Sequence, residues 1–382
     1  PETMCASRGS TIRCPMRIDR LELVSFRNYT TLAADFDGRC NVIFGENAQG
    51  KTNLLEAVYY LSCGKSLRAR NDREMIRFGD EAASLTATVQ ARDREFRVRA
   101  ELFRGRRRKL SVNGVAASSG AALSRVYHTV FFSPEDLMLI REGAAARRRF
   151  MDGALCQLRP RYAEALASYT RAYEHKTRIL RDAEDHPDLL NALPEFNAQL
   201  VHLGAVLIHY RAQFAQALSR YAAAHHRECS GGREQLDIAY QTVSTVTDPL
   251  AEPGQIARQL QAHMDAHQAA ERASRLCLSG PHKDDLAVSI DGREARQYAS
   301  QGQTRTAALA MKLAEREIYY HAAGEYPVLL LDDVLSELDP RRQEFVLNRI
   351  EGGQVFITCC EDDRLPQMLG GNVFHVEQGT VR

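Results

Sequence analysis

The stretch GENAQGKT at residues 45–52 constrains the fold more than any other part of the chain. It matches the pattern G-x-x-x-x-G-K-[ST], which requires a strand before it and a helix after it. Both flanks fit, because CNVIF (40–44) is typical of a strand and NLLEAVYYLSCG (53–64) spaces its apolar residues as a helix does. The sequence therefore predicts an α/β protein with a glycine-rich phosphate-binding loop.

The residue types in this loop indicate its chemistry. Backbone N–H groups at a helix N-terminus favour concentrated negative charge, so the loop would wrap the phosphates of a nucleotide. Lys51 would reach the β- and γ-phosphates, and Thr52 would offer its hydroxyl to Mg²⁺. A chance glycine-rich turn is the alternative. The predicted nucleotide-binding residues are Gly45, Glu46, Asn47, Ala48, Gln49, Gly50, Lys51 and Thr52.

A phosphate-binding loop of this kind requires an acidic residue on a neighbouring strand, which holds the metal or polarises water. PVLLLDDV (327–334) is so uniformly apolar that it predicts a central parallel strand. It ends in Asp332, the expected metal-associated carboxylate, and Asp333, the expected water-orienting base. We predict Lys51, Asp332 and Asp333 as catalytic residues, with ATP-bound Mg²⁺ held by Thr52 and Asp332. Alternatively, the two Asp residues merely end a strand and cap a helix.

Residues 299–306, ASQGQTRT, open the amphipathic run TAALAMKLAEREIYY, which is predicted to be helical. A helix start with exposed amides and a glycine suits an anion, although an ordinary N-cap and turn is the alternative. Farther along, SELD (336–339) contributes Ser336 and Asp339 to a loop before the next helix. The candidate anion-binding turn consists of Ser300, Gln301, Gly302 and Gln303.

The order of these segments along the chain is informative. The P-loop, a helical insertion, the S-x-G-Q turn, the acidic strand and SELD follow one another as in the heads of ABC-type ATPases. In that class the S-x-G-Q turn closes over the γ-phosphate held by the P-loop of a partner subunit. We therefore expect ASQGQTRT to be half of a shared ATP site in an ATP-dependent homodimer.

Changes in hydrophobic period divide the chain. Strand-like patterns occupy 16–146 and return over 276–382, whereas 147–275 mostly steps by three and four, with a break at DHPD. We predict an ABC/SMC-type P-loop ATPase head, with a mixed sheet and helices, that is split by an inserted α-helical arm at 147–275. Residues 1–15 are small, polar and patternless, so they are predicted to lie outside the fold.

Composition narrows the class further. With 382 residues, 44% hydrophobic and 26% charged, the chain has the make-up of an ordinary soluble protein with room for two domains. No apolar run approaches the ~18 residues of a membrane span, so no membrane association is expected. Nine cysteines are scattered without a CxxC pair, which predicts reduced thiols in the cytoplasm and neither disulfides nor a zinc site.

The net charge of only +1 hides a local basic stripe. RDREFRVRAELFRGRRRK (92–109) holds nine Arg or Lys against three Asp or Glu, and its apolar and charged residues alternate as in a half-buried strand. Such a stripe could neutralise DNA phosphates, and a solvated hairpin face is the alternative. The candidate DNA-binding residues are Arg97, Arg99, Arg106, Arg107, Arg108 and Lys109.

Three further charged or histidine-bearing patterns have two interpretations each. The turn SGPHKDDL (279–286) is either a DNA-facing or interdomain cluster, or a simple charged turn. His263 and His267 are four residues apart, as in a metal pair, but without a third ligand a solvated helix face is favoured. The three arginines at 147–149 could bind phosphate or be solvated charge at the start of the arm.

Seven segments, spread over residues 16–382, together resemble one family. They are MRIDRLELVSFRNY, GENAQGKTNLLEAVYYLSCGKS, FFSPEDL with GAAARRRFMD, SGPHKDDL, YASQGQTRT and LLLDDVLSELD. The combination is much more specific than any one motif. It is similar to the RecF family, the bacterial recombination-mediator and gap-repair ATPases of the SMC-like group.

This resemblance implies a function. ATP and Mg²⁺ would drive head-to-head dimerisation on single-stranded DNA, duplex DNA or gap junctions, and weak DNA-stimulated hydrolysis would release it as a switch. RecR and RecO would be partners in loading the RecA recombinase during replication, gap repair and SOS induction, in the cytoplasm at the nucleoid. The family roles would pass to the loop residues Gly45, Asn47, Gly50, Lys51 and Thr52, the acids Asp332 and Asp333, the turn residues Ser300, Gly302 and Gln303, and the dimer-facing Asp339.

Three positions depart from the expected pattern. Ala48 stands where many relatives have Gly, which costs on the order of 1 kcal/mol if φ is positive there. Asp333 is shorter than the Glu of ABC transporters, which fits a slow switch. The segment ITCC (357–360) occupies the place of the transporters' switch His, and Thr358 is the candidate γ-phosphate sensor.

The alternative function is an ABC- or SMC-like ATPase subunit that acts as a structural or motor head in another DNA-maintenance complex. A transporter-type head is disfavoured because no membrane partner is indicated and one strand has an Arg-rich face. The insertion of about 130 residues is too short for the bridging coiled coils of structural SMC subunits.

Overall fold

The structure is a computed structural model that describes residues 15–360 and 371–382. Apart from Pro15, the predicted N-terminal extension lies outside the described residues. The strands are β1 (Arg17–Phe26), β2 (Tyr29–Asp35), β3 (Cys40–Phe44), β4 (Ala82–Ala91), β5 (Arg94–Phe103), β6 (Lys109–Val112), β7 (Val115–Ala117), β8 (Thr129–Phe132), β9 (Leu236–Gln241), β10 (Asp285–Ile290), β11 (Arg293–Glu294), β12 (Val328–Asp332), β13 (Val355–Cys359), β14 (Asn372–Glu377) and β15 (Thr380–Val381). The helices are α1 (Lys51–Cys63), α2 (Gly120–Leu123), α3 (Ala144–Leu158), α4 (Pro160–Asp182), α5 (Leu193–Cys229), α6 (Pro253–Ser274), α7 (Ala295–Tyr298), α8 (Gln301–Ala323) and α9 (Pro340–Leu347).

A mainly parallel sheet carries the phosphate-binding loop. Its strand order is β15-β14-β3-β13-β12-β8, and all neighbours are parallel except β14 and β15. Every residue of β12, VLLLD, is buried, as expected of an apolar strand with a neighbour on each side. The predicted central parallel strand ending in acidic residues is therefore confirmed.

A second sheet, of order β2-β1-β4-β5-β6-β7, is antiparallel where its pairs are described. The alternation predicted for β5 is present, because Val98 and Ala100 are fully buried while Arg97 and Arg99 are exposed. Asn113 and Gly114, with φ of 52° and 79°, form the tight turn between β6 and β7.

The inserted arm consists of α3, α4, α5 and α6 together with β9. The helical run predicted from residue 147 is in fact two helices, because Pro160 cannot donate a backbone hydrogen bond and instead begins α4 as its first residue. α4 and α5 pack against each other, and the segment that joins them contains the predicted DHPD break. α6 ends at Ser274, one residue before the predicted end of the arm.

The arm is joined to the C-terminal lobe by backbone hydrogen bonds as well as by packing. β9 pairs antiparallel with β10, from Leu236↔Ile290 to Gln241↔Asp285, so a small sheet crosses the boundary predicted between 275 and 276. α5 also packs along α8, and both contribute to one hydrophobic core. The division into 147–275 and 276–382 therefore reflects a change in sequence pattern. The two segments do not pack as independent units.

Arg211 of α5 is the centre of a buried ion cluster between the arm and the lobe. Its side chain is 3% exposed. It donates to both carboxylate oxygens of Asp152, to the Tyr162 hydroxyl at 2.9 Å, and to Asp284 Oδ2 at 3.0 Å. A further bond of 2.6 Å reaches the carbonyl of Pro281. The SGPHKDDL turn is thus an interdomain cluster, one of the two interpretations left open by the sequence.

The same turn fixes Arg147 and His282. Arg147 was expected to be solvated or phosphate-binding, and this prediction is wrong: its guanidinium is buried and binds both oxygens of Asp285 at 2.7 and 2.8 Å. His282 lies between the Tyr169 hydroxyl (2.8 Å) and the Cys277 carbonyl (3.0 Å), and burial lowers its pKa to about 4. A neutral, enclosed imidazole cannot serve as a cationic DNA contact.

His263 and His267 do not form a metal site in the described part of the chain, where no group of three or more His, Cys, Asp or Glu side chains is arranged to hold a metal. Their rings stack at 4.0 Å, and His263 is buried against the Ser279 hydroxyl at 2.8 Å, so the predicted solvated face is also wrong for His263.

Within the described ranges, no helix is both long and apolar enough to cross a membrane.

A fully buried ion pair between α4 and α6 generates a prediction about stability. The side chains of Lys176 and Glu271 are 0% and 3% exposed, and Nζ lies 2.6 Å from Oε2. Lys176→Met would leave the carboxylate buried without its counter-ion. We expect the free energy of unfolding, measured by urea denaturation with far-UV circular dichroism, to fall by about 3–5 kcal/mol.

The control variant combines Lys176→Met with Glu271→Gln. Glu271 Oε1 also accepts from the backbone N–H of Leu278 at 2.7 Å, and a glutamine keeps an oxygen for that bond. Removing both charges together should restore most of the lost stability, because no uncompensated charge remains buried. Equal losses in the single and double variants would show that the ion pair is not the cause.

Candidate functional site

The loop at 45–52 is shaped by close contacts with the turn between β1 and β2. Gly50, the N-cap of α1, has a φ of 121°, and a Cβ there would lie 2.6 Å from the Asn28 amide nitrogen. The Asn28 amide donates to the Gln49 carbonyl at 2.6 Å, and the Tyr29 hydroxyl donates to the Gly50 carbonyl at 2.9 Å. Position 50 therefore requires glycine, and Asn28 and Tyr29, which lie outside the motif, hold the loop in place.

Lys51 extends back over the loop. Its Nζ donates to the carbonyls of Gly45 at 2.7 Å and Glu46 at 3.1 Å, and lies 3.9 Å from Asp333 Oδ2. The Lys51 side chain is only 4% exposed. An ammonium group held beside the backbone amides of the loop is suited to phosphate oxygens, as the motif predicted.

The side chain of Asp332 is held by two hydroxyl groups. Thr52 Oγ1 and Thr358 Oγ1 each donate to Asp332 Oδ1 at 2.9 Å, while Asp332 Oδ2 lies 3.9 Å from Arg68. Burial raises the pKa of Asp332, and the two hydroxyl hydrogen bonds act in the opposite direction. The parallel register pairs Asp332 with Thr358, so the sheet itself places this threonine beside the acid.

Thr52 and Asp332 provide oxygen ligands suited to Mg²⁺. Magnesium is commonly held by one or two protein oxygens together with substrate phosphates and water. The predicted pair, whose oxygens are 2.9 Å apart beside the phosphate-binding loop, fits that chemistry. Bound Mg²⁺ would neutralise charge on the phosphates.

Thr358 was predicted as a γ-phosphate sensor, and that role stays a prediction. Its Oγ1 donates to Asp332 and accepts from the backbone N–H of Asp333 at 2.8 Å. Because a hydroxyl has a single hydrogen, the one on Thr358 is already engaged. The arrangement makes Thr358 a support for both acids.

Two residues at the site have left-handed backbone conformations that glycine adopts more easily. Ala48 has a φ of 65° and Asp333 a φ of 50°. Each costs on the order of 1 kcal/mol for a residue with a Cβ. The φ of Ala48 is therefore positive, so the cost predicted for an alanine at this position applies. Asp333 carries a similar backbone cost.

Cys360 is a site residue whose position the sequence did not reveal. Its Sγ lies 3.0 Å from Lys51 Nζ, 2.9 Å from Asn47 Oδ1 and 3.7 Å from Asp333 Oδ1. Within the segment ITCC, the sequence pointed to Thr358 alone. Cys360 directly follows the last residue of β13 and lies two positions after Thr358, so strand alternation, which places residues two apart on the same face, is the signal that could have identified it.

The S-x-G-Q turn begins α8 as predicted. Ser300 is the N-cap: its Oγ accepts from the Gln303 backbone N–H at 3.2 Å, and Gln303 Oε1 accepts from the Ser300 N–H at 2.8 Å. The Ser300 hydroxyl hydrogen therefore stays available, as do the first backbone N–H groups of α8 at Gln301 and Gly302. The capping and anion-binding interpretations are thus compatible.

Hydrogen bonds within the described chain connect this turn to neighbours other than the P-loop. Gln303 Nε2 donates to Glu234 Oε1 at 3.1 Å, and the Gly302 carbonyl accepts from Arg342 at 2.9 Å. No described bond joins residues 300–303 to residues 45–52. Within one subunit, the two predicted halves of the ATP site are therefore not joined by any described hydrogen bond.

The SELD loop lies between the turn and the acidic strand. Asp339 caps α9 and binds Arg342, Arg342 donates to Thr306 Oγ1 at 2.9 Å, and the Ser336 hydroxyl donates to the Asp333 carbonyl at 2.6 Å. Arg342 was missed by sequence reasoning. A chain of contacts thus runs from Asp333 through SELD to the S-x-G-Q turn.

The basic hairpin divides into exposed and anchored residues. The side chains of Arg97 and Arg99 are 66% and 49% exposed, while Arg106, which stacks on Phe103, Arg107 and Lys109 are also exposed. Arg108 differs, because its Nη1 donates to the Tyr60 hydroxyl at 2.8 Å and to the Gly64 carbonyl at 2.6 Å. Arg108 therefore holds the hairpin against α1 and is a poor candidate for the DNA surface.

Comparisons with known proteins give a consistent result. The family model described as "RecF/RecN/SMC N terminal domain" matches residues 17–381. The DNA replication and repair protein RecF of Agathobacter rectalis is 38% identical over 370 residues, covering 96% of this chain and 99% of that protein. The protein of the same name from Bacillus subtilis is 36% identical over 373 residues, covering 96% and 100%.

Solved structures agree with these relatives. A structure described as the recombination mediator protein RecF-ATPrS in the RecFOR pathway matches with a TM-score of 0.90 and 31% identity, covering 97% of this chain and 98% of that one. The Smc head domain of Pyrococcus furiosus matches with a TM-score of 0.54 and 15% identity over 96% of this chain and 95% of that one, which shows a shared fold alone. The predicted ABC/SMC-type ATPase-head fold is thus confirmed, and the chain belongs to the RecF family.

Proposed function

We propose that this protein is an ATP-dependent DNA-binding switch for recombinational gap repair. The observation that carries the proposal is that no described hydrogen bond joins residues 300–303 to residues 45–52 within one chain. Lys51, Thr52 and Asp332 would form a nucleotide-binding half-site, and Ser300 with the start of α8 would form an anion-binding half-site. ATP binding is further supported by relatives whose solved structures are described as RecF-ATP.

Dimerisation is the simplest way to complete both half-sites. In a head-to-head homodimer, the Ser300 hydroxyl and the first N–H groups of α8 would meet the γ-phosphate bound by the partner subunit. Asp339 would face the dimer axis with Ser336. The bonds of Arg342 to Gly302 and Asp339, all within the C-terminal lobe, would hold the turn and the SELD loop together.

Slow hydrolysis would release the dimer. Asp333 is 30% exposed, lies 3.9 Å from Lys51, and is held through its backbone by Thr358 and Ser336, so its carboxylate can face a water near the phosphates. It would orient that water toward the γ-phosphate, while Lys51 stabilises charge on the phosphate oxygens. A short carboxylate in a strained backbone fits a weak, DNA-stimulated ATPase.

The exposed basic hairpin would hold DNA by its phosphates, with no base readout. Arg97, Arg99, Arg106, Arg107 and Lys109 form the proposed surface, for single strands, duplex or gap junctions. RecR and RecO are the proposed partners, with RecA loading, SOS induction and replication as the processes served. The proposed location is the cytoplasm, at the nucleoid when DNA is bound.

The shared-site model predicts the result of light scattering with and without ATP–Mg²⁺. Wild-type protein should change from monomer to dimer with ATP, and Ser300→Arg should abolish the dimer while nucleotide binding to the monomer persists. The reason is that arginine would fill the space next to the partner's γ-phosphate but leave the P-loop intact.

Lys51→Ala is the matched control for this experiment. It should remove ATP binding and dimerisation together, because the lost ammonium group serves the subunit's own nucleotide. A dimer that forms regardless of ATP, or that survives both substitutions, would contradict the shared site.

Asp333→Asn should trap the ATP-bound dimer on DNA. The amide keeps the size of the side chain, so ATP binding persists, but it cannot accept a proton from water. The dissociation rate of labelled DNA in the presence of ATP should fall about tenfold or more relative to wild type. Faster release by this variant would argue against Asp333 as the water-orienting group.

Charge reversal at Arg106 and Arg107 tests the DNA surface. Arg106→Glu with Arg107→Glu should weaken binding of a gapped duplex and reduce the slope of log K against log salt by about 2, one for each lost phosphate contact. Reversal of Arg161 and Arg171, two exposed arginines of α4, is the control with the same change in charge. Equal slopes for both double variants would exclude the hairpin as the DNA surface.

A further inference from the structure

We propose that Glu234 is a positioning residue for the S-x-G-Q turn, and that it links this turn to the base of the arm. The inference rests on the proposed shared ATP site. It adds a residue that belongs neither to the P-loop at 45–52 nor to the S-x-G-Q turn at 300–303. Glu234 follows the turn Gly231–Gly232 at the end of α5, on the segment leading to β9. Its carboxylate bridges α5 and α8, two elements that no described backbone hydrogen bond joins there.

Glu234 completes the hydrogen bonding of the Gln303 amide. Gln303 Oε1 accepts from the Ser300 N–H at 2.8 Å, and Gln303 Nε2 donates to Glu234 Oε1 at 3.1 Å. The orientation of the amide is thereby determined, because a carboxylate can only accept. Reversal of the amide would place two acceptors together and would break the cap on Ser300. Glu234 thus determines where the Ser300 hydroxyl points.

The second carboxylate oxygen of Glu234 is held by a buried histidine of the arm. His226 is fully buried, and its Nε2 lies 3.1 Å from Glu234 Oε2. Nε2 must carry the hydrogen, since the carboxylate has none to donate. Burial is the main influence on the pKa of His226 and lowers it, which favours the neutral ring, and its Nδ1 has no hydrogen-bond partner in the described structure.

The turn is consequently held from two sides. Arg342 of α9 binds the Gly302 carbonyl, and Glu234 binds Gln303 from the side of the arm. A change in the position of the α5 end would move Glu234 and loosen the cap on Ser300.

Mixed dimers test this role, because a residue that acts on the partner's ATP behaves differently from one that acts on its own. Glu234→Ala should leave ATP binding to the monomer unchanged but lower hydrolysis of its homodimer by about tenfold, the loss expected for a hydrogen bond to a charged group. Asp333→Asn homodimers should be inactive. A mixture of the two should regain hydrolysis well above the sum of the parents, because the P-loop of the Glu234→Ala subunit meets an intact turn.

Two further variants test the chemistry. Glu234→Gln should retain most of the wild-type activity, because its amide oxygen can still accept from Gln303 while His226 changes tautomer and accepts the amide N–H. Glu228→Ala removes an exposed bond to Arg349 near the same end of α5 and should behave as wild type. Loss of activity in Glu234→Gln equal to that in Glu234→Ala, or wild-type activity in Glu234→Ala, would overturn the proposal.

A parallel mixture separates this inference from the proposed function. Ser300→Ala mixed with Asp333→Asn should also regain hydrolysis if the ATP site is shared, because alanine removes the hydroxyl from the turn without filling the space next to the partner's γ-phosphate. If that mixture recovers and the Glu234→Ala mixture does not, Glu234 does not act across the dimer and the inference fails alone. If neither mixture recovers, the shared site itself is wrong.

Discussion

The buried guanidinium of Arg211 is the interaction on which the arrangement of arm and head depends. It reaches α3 through Asp152, α4 through Tyr162, and the turn before β10 through Asp284 and the Pro281 carbonyl. The side chain of Asp284 is fully buried, and its carboxylate accepts from this cation and from the hydroxyl of Tyr240. Displacement of Arg211 would leave the Asp284 carboxylate buried without its counter-ion, so α5 is held in one position relative to the lobe. The position of α5 in turn determines how the arm meets α8 and the S-x-G-Q turn.

The acidic site depends on a different constraint, the register of the parallel sheet. β12 and β13 pair with Asp332 opposite Thr358, and β13 pairs with β3, which leads directly into the phosphate-binding loop. Three strand ends therefore bring together a carboxylate, a hydroxyl and a lysine from distant parts of the chain. Since the strands are buried and apolar, this register is set by the core, and the polar groups at its edge follow. The core packing that sets the strand register therefore also sets the positions of the polar groups at this edge.

Local patterns were predictable because their physics is local. The phosphate-binding loop, the buried acidic strand and the helix start at Ser300 each depend on a few consecutive residues, and all are present as predicted. Charged residues were harder to place. Arg147 and Arg108 looked like surface charge in the sequence, but their partners, Asp285 and the end of α1, come from far along the chain. Nothing near an arginine in sequence tells whether a distant carboxylate or carbonyl will receive it.

The sequence by itself determined the type of protein, because a nucleotide-binding loop, an acidic strand and an S-x-G-Q turn are contiguous motifs whose chemistry is carried by their own backbone and side chains. Only the tertiary structure decided which residues support them. Cys360 lies beside Lys51, Arg342 binds the Gly302 carbonyl, and Glu234 orients Gln303 through contacts between segments separated by 309, 40 and 69 positions. Such contacts arise from the packing of helices and sheets around a common core, and a linear pattern carries no record of that packing.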